Sequence, residues 1–156
     1  AIELGLVGSE MCIRDRVSEV SKISDEVSIN PMNIQRGTIV DRLFRNREYR
    51  PPWLWSLVEM IIRTHDDVSK TDCRVIVHPT AGGKARGSHN CGSCDSEVVA
   101  AIERYSVSGN LGEFNELECE CKKVWLSEIQ NDSALPTPMG SGIHRRGNAL
   151  DRLRAP

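Results

Sequence analysis

Reactive side chains crowd into two short stretches of this chain, His89-Asn90-Cys91-Gly92-Ser93-Cys94 and Cys119-Glu120-Cys121. Thiolates and an imidazole are the donor set that zinc prefers, and C-x-x-C is the commonest spacing for two of them. Gly92 lets the backbone turn tightly enough for Cys91 and Cys94 to face one ion. The spacing predicts a structural zinc site with ligands His89, Cys91, Cys94 and Cys121, and Cys119 as the alternative fourth donor. The choice between the last two rests on geometry. If 113–130 is one helix, residues two apart point about 200° away from each other. Cys121 would share the apolar face of Leu117 and Val124. The competing reading is a set of separate thiols, with Cys121 buried as a small hydrophobe.

A site of that kind must be held by elements that the rest of the pattern supplies. Val17, Val20, Ile23 and Val27 recur at helical spacing over 17–29. Ile34, Ile39, Val40, Leu43 and Phe44 trace a second helix over 32–50, ended by Pro51-Pro52. Leu54, Leu57, Val58, Ile61 and Ile62 form the stripe of a third. Cys73–Pro79 is the one credible strand, and 80–94 is a loop rich in glycine and small polar residues. Its Gly82-Gly83-Lys84 lacks the spacing of a phosphate-binding P-loop. Val98, Val99, Ile102 and Tyr105 mark a helix over 95–107 with Asp95 as its cap. Phe114, Leu117, Cys121, Val124 and Trp125 mark the last, over 113–130. The expected fold is mainly α, a small helical domain with at most one or two short strands. The expected domain spans 17–131, followed by a disordered basic tail over 132–156.

Arg36, Arg42, Arg45, Arg47 and Arg50 give residues 32–50 a net charge of +3, whereas 95–134 sum to −6. The arginines are candidates for phosphate contacts with a nucleic acid, against the plainer reading of a solvated helix face. They are read as lacking the interleaved aromatics of a base-stacking platform.

Composition narrows the classes further. With 39% apolar and 4% aromatic residues, the core has to be mostly aliphatic. No apolar run is long enough to cross a bilayer, and no secretory signal is evident, so a cytoplasmic protein is expected, with cysteines as ligands or free thiols.

Two local resemblances stand apart from this pattern. Leu6-Val7-Gly8-Ser9-Glu10-Met11-Cys12-Ile13-Arg14-Asp15-Arg16 resembles the translation of a transposase-type sequencing adapter. That resemblance implies that residues 1–16 are no part of the fold. Cys91-Gly92-Ser93-Cys94 resembles the Cys-Gly-Ser-Cys signature of papain-like proteases, which implies Cys94 as a nucleophile at a helix N-terminus. Asp95 stands where that family has an aromatic residue, and Ser88 where it has the oxyanion-hole glutamine. His144 is the only histidine downstream of Cys94.

The expected function is a non-enzymatic, zinc-stapled helical module that binds nucleic acid or a protein. The alternatives are a relic of a cysteine protease and an unselected reading frame without function.

Overall fold

In a computed structural model, residues 2–5 and 10–134 are described, with side chains from Arg14 to Gln130. The elements are β1 (Ile2–Gly5), α1 (Glu10–Ser21), β2 (Glu26–Asn30), α2 (Ile39–Arg45), α3 (Leu54–Val68), β3 (Arg74–Val77), α4 (Asp95–Ser108), a 3-10 turn (Leu111–Phe114) and α5 (Cys121–Ala134). The fold is mainly helical, as the apolar spacing implies. Within 17–131 there are two short strands, β2 and β3, and β1 adds a third parallel strand in the order β1-β2-β3. The chain divides at Trp125 into two units, and the described part of the second is the run of α5 from 126 to 134.

Alternation sets the faces of the sheet. Val27 and Ile29 pair in register with Val75 and Val77, and all four are buried. Ser28, Asn30 and Ile76, on the opposite face, are half-buried. Parallel strands need crossover connections, and α1 and α3 supply them while packing on each other. α3 carries much of the core, with Leu54, Trp55, Leu57, Val58, Met60, Ile61 and Val68 buried. The outer edge of β3 is closed by α4. Ser106 Oγ accepts the Val77 N–H at 2.9 Å, and Arg74 donates to the Ser106 carbonyl at 3.0 Å. Polar groups that a lone edge strand would leave unpaired are thereby satisfied.

Several boundaries differ from the sequence-based expectation. The stripe assigned to one helix over 17–29 is split: α1 ends at Ser21 and Val27 belongs to β2. Val27 and Ile29 alternate with Glu26 and Ser28, a period of two that the short valine-rich run disguised. Ile23, read as part of that helical stripe, is 81% exposed in the turn between them. The helix expected over 32–50 shrinks to Ile39–Arg45, because Gly37 takes φ +79° and Thr38 caps the new start by accepting the Asp41 N–H. The helix expected over 113–130 breaks into the 3-10 turn, an irregular stretch at 115–120, and α5. Most of the expected tail over 132–156 lies outside the described residues.

Candidate metal centre

Four cysteines from three places in the chain converge. Cys91 and Cys94 sit on the loop before α4, Cys119 lies in the irregular stretch, and Cys121 opens α5. Their sulfurs all lie within 4.8 Å of one another. Neighbouring sulfurs are 3.9 Å apart for Cys91–Cys94, 3.7 Å for Cys91–Cys119 and 3.6 Å for Cys94–Cys121. A tetrahedral ion with metal–sulfur bonds of about 2.3 Å puts its sulfurs about 3.8 Å apart. The thiols therefore stand where four ligands of one ion would stand.

The break before Cys121 makes this possible. Cys119 is not helical, so the opposed directions that a continuous helix would impose do not arise. Of the expected ligands, Cys91, Cys94 and Cys121 are in the group; His89 is not, and Cys119 takes part. The His89 Nδ1 donates to the Gly87 carbonyl at 2.9 Å, and its backbone N–H donates to the Pro52 carbonyl.

The surroundings hold the knuckle in shape. Asp95 was expected to cap α4, but Cys94 occupies the cap position and the Asp95 carboxylate folds back instead. Its Oδ1 accepts the backbone N–H groups of Asn90 at 3.0 Å and Gly92 at 3.1 Å. Gly92 has φ +92°, which only glycine adopts freely. Asn90 Oδ1 accepts the Trp55 N–H, one of the donors that the start of α3 leaves without a helical partner. Two side-chain donors reach the sulfurs themselves: Asn90 Nδ2 at 3.4 Å from Cys94 Sγ and Trp55 Nε1 at 3.2 Å from Cys121 Sγ. Trp125, on the next turn of α5, donates to Ser56 Oγ at 2.9 Å. The first turns of α3 and α5 are thus joined beside the cluster. Donors of this kind orient metal-bound thiolates and disperse their charge.

The thiols differ in acidity. Cys91 is exposed, and the backbone N–H groups of Ser93 and Cys94 lower its pKa to about 6. Burial pushes the Cys94 thiol up to about 12 and raises Cys121 as well. Cys94 is only 5% exposed. A buried thiol held in its protonated form is the reverse of an activated nucleophile, so the protease reading fails. His144 lies outside the described residues.

Basic side chains gather on an adjoining surface. Arg36, Arg42, Arg45, Arg47 and Arg50 are all exposed. Beneath them Asp41, 2% exposed, ties two segments together. It accepts from Gly37 N–H at 3.0 Å, Arg45 Nη2 at 2.8 Å and Arg86 Nη1 at 2.8 Å. The Gly37 N–H, and then the two guanidiniums, hold its carboxyl below the ordinary value. Ile34 N–H to the Arg86 carbonyl, at 2.8 Å, completes the seam. Phe44 and Tyr49 do interleave with the arginines, contrary to the sequence reading, and they line one cavity with Arg47, Glu48, Arg50, Ala85 and His89. That alternation of aromatic and basic residues was the available signal. Arg50 lies 3.5 Å over the Trp53 ring, and Arg86 lies 5.6 Å from the Phe44 ring centre.

The chain is similar to archaeosine synthase subunit beta of Methanosarcina acetivorans, 32% identical over 124 residues, which is 79% of this chain and 35% of that protein. The protein of the same name from Thermococcus kodakarensis is 34% identical over 119 residues, 76% of this chain and 36% of the relative. An uncharacterised protein of Methanocaldococcus jannaschii is 28% identical over 136 residues, 82% of this chain and 36% of that one. The chain therefore spans about a third of the length of the curated relatives it matches. No protein-family profile matches it, and no solved structure does. Similarity over 124 residues is not what an unselected reading frame leaves, and that reading is set aside. Among the described residues, no helix is long and apolar enough to cross a membrane.

Proposed function

We propose that this chain is a zinc-stapled, non-catalytic portion of a protein that works in the formation of archaeosine, a modified nucleoside of tRNA, and that it holds tRNA against its arginine-rich face. The observation that carries the reading is the convergence of four sulfurs within 4.8 Å of one another, with successive neighbours at 3.6 to 3.9 Å. Iron–sulfur clusters share four cysteines among two or four irons, which sets at least some of the sulfurs further apart, so this spacing favours a single ion. Four closed positions leave no room for substrate, which makes the ion structural. Zinc on four thiolates carries a net charge of −2, and the Asn90 and Trp55 donors with Lys122 near the Trp55 ring are placed to moderate it. The names of the relatives and the exposed arginines support an RNA partner.

Metal content and RNA binding test the two halves of this reading. Protein purified without added metal should carry one zinc per chain, and a strong chelator should remove helical signal along with the ion. RNA affinity should fall steeply with salt, and Arg36→Ala with Arg42→Ala should flatten that dependence by about one phosphate contact each. Absence of metal, or affinity indifferent to both salt and arginines, would contradict the corresponding half.

A further inference from the structure

The cavity beside α2 has the makings of a nucleotide subsite. It measures about 520 Å³ and lies between the segment 44–50 and the loop at 85–89. Tyr49 and Phe44 offer ring surface, and Arg47, Arg50 and His89 offer donors. Exposed cations without a side-chain partner among the described residues, Arg36, Arg42 and Lys84, precede those two segments in the chain. Glu48 is the one acidic residue lining it.

A second observation is independent of the cavity. α2 ends in a reversed turn in which the Arg47 N–H donates to Phe44 and the Glu48 N–H donates to Leu43. The residue at the turn takes a left-handed conformation, and glycine is the usual occupant. Here it is Arg47, with φ +61°, the one described residue other than glycine with positive φ. A side chain in this conformation is strained, and residues strained in this way cluster at binding and active sites. The Arg47 side chain lines the cavity.

We propose that this cavity receives one unstacked nucleotide of a single-stranded RNA segment, its base against Tyr49 and its phosphate at Arg47. The proposal rests on the RNA-binding reading above and sharpens it. Bases splayed out of a helix are recognised by stacking on aromatic rings, with arginines on the backbone. A base still in its duplex cannot enter a cavity.

The test uses the full, metal-loaded chain with a single-stranded RNA of about ten nucleotides and the duplex of the same sequence. The single strand should bind at least about fivefold more tightly than the duplex. Tyr49→Leu should weaken single-strand binding about tenfold while leaving its salt dependence unchanged. Arg47→Gly should weaken binding to the same RNA while the melting temperature holds or rises, because the turn is relieved as the contact is lost. Ala85→Trp, at an exposed position, fills the cavity from the other wall and should act as Tyr49→Leu does. If RNA binds with a steep salt dependence but these three variants bind as tightly as the parent, the subsite is wrong and the basic face stands. If the parent binds no RNA, both fall.

Discussion

Cys119 and His89 separate two descriptions of the same centre. Cys119→Ser should lower zinc affinity by orders of magnitude, whereas His89→Ala should retain one ion per chain; a competition assay with a coloured zinc chelator reads both. The reverse pattern would restore the imidazole as a ligand. Protonation gives a second handle. An ion binds thiolate, and Cys94 and Cys121 are held protonated by burial, Cys94 with a pKa of about 12. Each must lose its proton as the ion enters. Affinity should therefore rise with pH, by about tenfold per unit for each proton released, and the two buried thiols alone make that at least about a hundredfold. Cys91 is already largely thiolate above about pH 6 and adds little to the slope there. A flat profile would mean that the buried thiols are not ligands. Three of the four sulfurs were legible from the C-x-x-C spacing and the apolar company of Cys121. Cys119 was not, because its use depends on where α5 begins, and no breaker residue between Phe114 and Cys121 announces that start.

Loop 80–94 is the piece that binds the centre to the basic surface. One end is sewn to α2 by Asp41 and Arg86, and the other enters the knuckle through His89 and Asn90. Gly87 permits the loop to close, since a Cβ there would press into the Ala81 carbonyl oxygen. Asp41→Ala should free Arg86 and speed tryptic cleavage after Lys84 and Arg86 while one zinc remains bound. Unchanged cleavage would show that the seam holds without the carboxylate. The Asp41 carboxyl is lowered in the folded chain, so its contribution is complete above the ordinary value of 3.8 and fades as pH falls through the lower folded value. The seam should therefore survive mild acid that strips the metal. Helices α3 and α4 were legible because their apolar stripes are long and uninterrupted. β2 was not, because five residues of alternation cannot outweigh a neighbouring valine stripe. The adapter resemblance over 6–16 remains a proposal about where the first turns of α1 originate. Arg14, Asp15 and Arg16 are exposed, and Val17 is buried. A read of the genomic DNA across this point decides it.

Taken together, the chain is a three-stranded parallel sheet under helices whose far end is gathered by four thiols. Much of the interior comes from α3, and in the proposed zinc reading the ion's part is to fix the starts of α3, α4 and α5 against one another. Such an arrangement ties metal loading to shape, and shape to the arginine face. What the sequence could not supply was the partner: an arginine-rich stretch is compatible with many solvated surfaces, and only the relatives' names direct it toward RNA. X-ray absorption at the zinc edge on protein as purified tests the centre most directly. The account predicts one zinc per chain with four sulfur neighbours at about 2.3 Å and no nitrogen or oxygen in the first coordination sphere. A first sphere containing nitrogen, an iron–sulfur cluster in place of zinc, or no bound metal at all would contradict it.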